Sequence, residues 1–356
     1  MASPRDRFAG VRNTFVPKVP SQADLIELVR KNDLDGLTSA FDRHDLKTDN
    51  LLHRVQSPEM VDFLVGKGAD VNKPYQNKDG PGDYGDPTPL FFAAFSANAE
   101  TVQRLLHHGA GPDAGGVVDG YPLGCAVTRD DDQQEAVVRA LLNAGAGTRG
   151  ALGEAIKEKH ATIGTITALL EHGADPNGCL NEYGGLVLVP ALSLAAGQGR
   201  GDVVDLLLDN GADPMERNVN QMTALHYAHY ARDPEMVDKL VARSADPAAL
   251  LNAANERGDT ALTYAATSGQ IDMATKLLDL GADPALAMQG AGWLEEERNV
   301  LSGIYPRPGR NEAMHLVHAQ ALEKEKAALR QTFAEVEQEQ AHEVAEQPAP
   351  RRRVRL

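Results

Sequence analysis

The chain has 356 residues, 42% of them hydrophobic but only 5% aromatic, with 51 acidic against 35 basic side chains and a formal net charge of −16. Such a field repels phosphate backbones and anionic lipid, so neither general nucleic-acid binding nor membrane binding is expected. Two widely separated cysteines, Cys125 and Cys179, supply no Cys-x-x-Cys pair and no disulfide framework, and they fit a reducing compartment.

Residues 1–20 carry prolines, charges and scattered apolar side chains without a period, which reads as a flexible N-terminal arm. They lack the apolar run of a secretory signal, and no later stretch approaches the roughly 18 to 20 apolar residues of a membrane span. A cytoplasmic location is the expectation, with export by a route without a cleaved signal as the alternative. From Ser21, a candidate N-cap, the apolar residues Leu25, Ile26, Leu28, Val29, Leu34, Leu37 and Phe41 fall at helical spacing. Residues 21–46 therefore read as capping helices.

A phrase of the form G-A-D then recurs, marked by Gly68, Gly109, Gly145, Gly173, Gly211, Ser244 and Gly281 at intervals of 28 to 41 residues. Before it stand related phrases: T-P-L-F-F-A-A at Thr88 to Ala94, T-A-L-H-Y-A at Thr223 to Ala228 and T-A-L-T-Y-A-A at Thr260 to Ala266. Together they resemble the ankyrin repeat family over about residues 47–285, whose units run to roughly 33 residues. The resemblance implies an all-α solenoid of about seven helix-turn-helix units with hairpin loops, helical caps and a long C-terminal helix. Elementary chemistry agrees with it. Threonine can cap the first helix, proline is tolerated in its first turn, and alanine pairs let helices approach. Glycine can take the positive φ that ends the second helix.

Two copies depart from the phrase by insertion, at 73–87 and 178–191, where loops project as fingers and a repeat protein customises its surface. The copy from Ala151 to Gly173 is short and reads as a distorted joint. Residues 286–310 contain Trp293, Leu294, Val300, Leu301 and Ile304, which read as a C-terminal cap and linker. Residues 311–346 form a long helix with Leu322, Leu329 and Val336 seven apart and Phe333 beside them, a weak coiled-coil pattern that Lys326 and Gln340 interrupt. The chain ends in a basic, disordered tail, 347–356, in which Arg351, Arg352, Arg353 and Arg355 read either as a solvated terminus or as a docking or import signal.

The residues offer no chemistry to nominate. His226 and His229 share metal-ligand spacing, but His226 occupies the histidine of the ankyrin phrase, where it is expected to bond the backbone of a neighbouring loop. His315 and His318 lack further ligands. Asp79, Asp83 and Asp86 miss the spacing of a calcium loop, and Cys125 and Cys179 read as ordinary thiols. No P-loop, nucleophile elbow or H-E-x-x-H motif occurs. No cofactor, no metal and no catalytic residue is expected.

The expected function is a non-catalytic adaptor or scaffold that binds another protein through the concave face and hairpin fingers the resemblance implies; the alternative is a two-module regulatory or secreted effector protein in which the helix 311–346 and the basic tail drive self-association or targeting. Mapping the variable positions implied by the resemblance gives Tyr84, Asp86, Pro87, Phe95 and Ser96 around the first Thr-Pro. It gives Asn220, Met222 and Tyr230 in the Thr223 unit, and Glu256, Arg257, Asp259, Thr267 and Ser268 in the Thr260 unit. Tyr, Phe and Met beside charges are residue types that anchor interfaces.

Overall fold

Caps set the start of most helices. Ser57 accepts from the Met60 amide at 3.3 Å, Thr88 from Phe91 at 3.4 Å, Asn98 from Thr101 at 2.9 Å and Thr260 from Thr263 at 3.3 Å. Each bond satisfies an amide that the helix itself leaves without an acceptor. The computed structural model describes residues 19–75, 87–115, 122–158, 161–182, 187–301 and 309–346. The predicted tail, the N-terminal arm up to residue 18 and most of the first finger, including Tyr84 and Asp86, lie outside the described residues.

The chain divides into two units, Met1–Gly147 and Thr148–Leu356. The first contains α1 (Gln22–Arg30), α2 (Leu34–Arg43), a 3-10 turn (Leu52–Arg54), α3 (Pro58–Gly66), α4 (Pro89–Ser96), α5 (Ala99–His107), α6 (Pro122–Val127) and α7 (Gln134–Asn143). Helices pack against their sequence neighbours and against the equivalent helix of the next pair, as α4 does on α6 and α5 on α7. The core between them is aliphatic: Leu64, Leu90, Val102, Leu105, Val138 and Leu141 are fully enclosed.

The second unit contains α8 (Ala151–Lys157), α9 (Ile163–Glu171), β1 (Cys179–Glu182), β2 (Val187–Pro190), α10 (Ala191–Gln198), α11 (Gly201–Asp209), α12 (Ala224–Ala231), α13 (Glu235–Ala242) and α14 (Pro247–Leu251). It continues through α15 (Ala261–Thr267), α16 (Ile271–Asp279), α17 (Pro284–Ala287) and α18 (Ala291–Leu301) to α19 (Arg310–Glu346). Ala195, Ala196, Ala265 and Ala266 are completely buried, which is what allows first helices such as α10, α12 and α15 to lie side by side. Each unit is thus a stack of helix pairs whose core forms only between neighbours.

The turn after the second helix is chemically uniform. Gly68, Gly109, Gly145, Gly173, Gly211 and Gly281 all have positive φ, between 83° and 102°. The alanine after each glycine donates to the leucine carbonyl five residues back, at 2.9 to 3.0 Å from Ala69 to Leu64 through Ala282 to Leu277. This is the closure that satisfies the last carbonyls of a helix, and glycine adopts it without a Cβ penalty. Ser244, the marker without glycine, is not among the residues with positive φ, although its amide bonds Val241 at 3.2 Å just as the glycine amides bond the carbonyl three residues back.

Two features extend the expected architecture. The second finger is an antiparallel β-ribbon, with Cys179 opposite Pro190 and Glu182 opposite Val187. The C-terminal cap is shared: Trp293 of α18 is 1% exposed, and the first turns of α19 add Ala313, Met314 and Val317 to the same core against α15, α16 and α17. Apolar side chains that close the last repeat therefore stand on both sides of the expected division between 286–310 and 311–346. Among the described residues, no helix is long and apolar enough to cross a membrane.

Candidate protein-binding faces

Successive second helices are tied to each other by charge. In the first unit Arg104 reaches Asp62 at 3.4 Å, His108 reaches Asp62 at 2.7 Å and Lys67 reaches Asp42 at 3.6 Å. In the second unit Lys239 pairs with Asp205, Arg243 with Asp209 at 2.5 Å and Lys276 with Asp238 at 2.8 Å. Exposed pairs of this kind add little stability each, but they leave the second-helix side highly charged, hydrated and short of apolar area.

The first-helix side is different in composition. On α4, Phe91 and Phe92 are half-buried with ring centroids 5.7 Å apart, and Phe95 one turn later is 64% exposed. Tyr75 packs edge-on to Phe92 at 5.8 Å, and the Arg54 guanidinium lies 5.3 Å from the Phe92 ring centre. The Tyr75 amide donates to the Pro87 carbonyl at 2.8 Å, closing the base of the first finger beside this patch. Ser96, also exposed, spends its hydroxyl on the Phe92 carbonyl at 3.2 Å.

A second aromatic patch lies on α12 and α15. His229 stacks on Tyr264, with centroids 4.9 Å apart and planes 20° from parallel, and sits 3.9 Å from the Tyr230 ring. Tyr230 is 62% exposed, and Tyr227 lies 6.0 Å from it. Two asparagines hold the tyrosines in place: Asn218 donates to the Tyr227 hydroxyl at 2.9 Å, and Asn255 to the Tyr264 hydroxyl at 3.0 Å. Burial, followed by the charge of Asp259, pushes the Tyr264 phenol above its usual range, so it stays a neutral hydrogen-bonding group.

The sequence-predicted contact residues divide in the structure. Phe95, Ser96 and Tyr230 are exposed, Pro87 is half-buried at the base of the first finger, Asn220 is half-buried in the loop before α12, and Glu256 and Arg257 are exposed at the loop before α15. Thr267 and Ser268 close α15, with the Thr267 hydroxyl committed to the Thr263 carbonyl at 2.8 Å. Met222 and Asp259 are not on a surface. Met222 is 9% exposed in the core, and Asp259, at 3%, accepts the Gly292 amide at 2.7 Å and so anchors α18. Both precede the threonine that opens a first helix, where the chain dives into the stack.

Arg54, Tyr75, Phe91 and Phe92 in the first patch, and Tyr227, His229 and Tyr264 in the second, escaped the sequence reading. One signal for them was present: a tyrosine nine residues after an asparagine, Asn218 to Tyr227 and again Asn255 to Tyr264. The histidines in these patches are structural. His226 donates through Nε2 to the Asp259 carbonyl at 3.1 Å and accepts the Thr223 amide on Nδ1 at 3.1 Å, as the ankyrin-like phrase implies. Burial pushes its pKa down to about 4, and that of His53 likewise, so both are neutral imidazoles. Burial also pushes the Cys125 thiol up to about 11, which removes its thiolate at neutral pH. Among the described residues, no three His, Cys, Asp or Glu side chains converge as metal ligands would.

Comparison with known proteins places family matches on the same segments. Residues 192–287 match the model of ankyrin repeats in three copies, and residues 88–116 match that of a single ankyrin repeat. No curated protein sequence matches. Among solved structures, the chain is similar to the human ASB11 ankyrin repeat domain at 20% identity, over 73% of this chain and 98% of that one, with a TM-score of 0.48.

Proposed function

This chain is an ankyrin-repeat protein, and from that premise we propose that it is a non-catalytic adaptor that binds another protein through the aromatic first-helix faces of its two units. Ankyrin repeats are in general protein–protein interaction modules. The observation that supports the choice of face is the contrast within each unit. Second helices are laced by ion pairs, whereas α4 and α12 hold Phe95 and Tyr230 largely in solvent beside supported rings.

Such rings suit an interface for a physical reason. Tyrosine and phenylalanine lose few rotatable bonds on ordering and bury large areas, and the rings around them are already fixed by packing and by Asn218 and Asn255. A partner then desolvates a rigid apolar patch with hydroxyls at its margin. The fingers at 73–87 and 178–191 belong to this reading as specificity elements, since each rises from a hydrogen-bonded base next to a first helix. The cytoplasm is the proposed location, in keeping with the low cysteine count and with the half-buried Cys125, whose thiol stays protonated at neutral pH.

The test is affinity capture from the native host with Phe95→Ala/Tyr230→Ala, both exposed positions whose loss leaves the core intact. Loss of the captured protein from a folded variant supports the assignment, and undiminished capture removes it.

A further inference from the structure

Beyond its root, α19 keeps a charged tie to the repeats, Lys324 to Asp283 at 3.1 Å, but no residue of 322–332 is buried. Ala313, Met314 and Val317 bury its first turns, but every residue from Leu322 to Thr332 is exposed. Residues 322–346 extend about 37 Å at 1.5 Å per residue. An isolated helix of that length is marginal in water unless something covers an apolar stripe. A stripe is present: Leu322 and Leu329, seven residues apart, are 51% and 54% exposed.

Charge along the helix selects what covers it. The stretch 322–333 carries Lys324, Lys326 and Arg330 against Glu323 and Glu325, while 334–346 carries Glu335, Glu337, Glu339, Glu343 and Glu346 with no lysine or arginine. Two such helices side by side in parallel would set one run of glutamates against the other. Reversed, they set the basic half of each against the acidic half of its mate and also oppose their dipoles. At the root of the helix, Pro284, Ala285 and Met288 with Ala321, Leu322 and Ala328 line a hollow of about 480 Å3. In the reversed arrangement, that hollow receives the far end of the second helix, whose sequence there includes Val344 and Ala345.

We propose that residues 322–346 of α19 pair antiparallel with the same segment of a second copy of this chain, making the protein a dimer joined by its C-terminal helices. The Leu322–Leu329 stripe of each helix lies against the C-terminal half of its mate, and Lys326 and Arg330 face the glutamates of that half. The repeat faces remain open in the dimer, so each dimer carries two sets of them.

Sedimentation of the full chain from micromolar to hundreds of micromolar concentration, at low and at high salt, tests this. The expected result is a monomer–dimer equilibrium that weakens about tenfold or more as salt screens the facing charges. Leu322→Glu/Leu329→Glu is expected to be monomeric with native Trp293 fluorescence. Lys326→Glu/Arg330→Glu is expected to weaken the dimer, and adding Glu335→Lys/Glu339→Lys in the same chain to restore it. A monomer at all concentrations overturns the proposal and leaves the helix to a different protein. A dimer that salt tightens, or that survives Leu322→Glu/Leu329→Glu, or that the second charge exchange fails to restore, overturns it equally.

Discussion

His226 donates to the Asp259 main-chain carbonyl across a distance of 3.1 Å and thereby ties the first helix of one repeat to the loop of the next. Acceptance of the Thr223 amide on Nδ1 requires a neutral ring. Its folded-state pKa of about 4 lies below the ordinary 6.5, so the unfolded chain binds the proton more readily. The contribution, about 3 kcal/mol, is complete above about pH 6.5 and is lost as pH falls through the window down to about 4. Denaturant unfolding of the wild type is expected to weaken more between pH 7 and pH 4 than that of His226→Gln. Parallel declines would show that the ring is not the titrating group.

The glycine turns give a second expectation. Gly211 has φ of 89°, and a Cβ there would meet no heavy atom within 4 Å, so its substitution tests backbone strain alone. Gly211→Ala should cost about 1 kcal/mol, read as a lower denaturation midpoint at unchanged slope. Ser244→Gly should bring no gain beyond a few tenths of a kcal/mol, because the backbone there is not in the left-handed region.

Trp293 is the chain's one tryptophan and is packed 5.4 Å from the His318 ring, between α18 and the root of α19. Trp293→Ala removes the largest buried side chain of the cap and should cost about 3 to 5 kcal/mol. Amide exchange in α15 and α16 is expected to quicken before that in α10 and α11, because the cap covers only its neighbours. Uniform quickening across the unit would contradict a local cap.

Much of this architecture was legible in the sequence because it rests on short local rules. Threonine before a helix, an alanine pair within it and glycine after the second helix each act over a few residues, and Thr88, Ala93 and Gly109 behave accordingly. The faces were less legible. Phe95 and Tyr230, picked as variable positions implied by the family resemblance, are exposed, whereas Met222 and Asp259, picked the same way, are buried just before the threonine that opens a first helix. The aromatic patches combine Tyr75 with Phe92 across the first finger, and His229 with Tyr264 from successive repeats. A residue's own neighbours in sequence do not report contacts of that kind. The shared cap was hidden for the same reason, since Trp293 and Val317 belong to helices on opposite sides of a proline-rich stretch.

Partner binding is proposed to belong to the aromatic first-helix faces and not to the ion-paired second-helix sides. The measurement is the dissociation constant for a captured partner, taken for the wild type, for Phe95→Ala/Tyr230→Ala and for Lys239→Ala/Lys276→Ala, with unfolding midpoints recorded for all three. Removal of exposed aromatic anchors is predicted to weaken binding by about tenfold or more, while the lysine variant binds within about twofold of wild type. Weakening confined to the lysine variant, with the aromatic variant folded and binding normally, would contradict it.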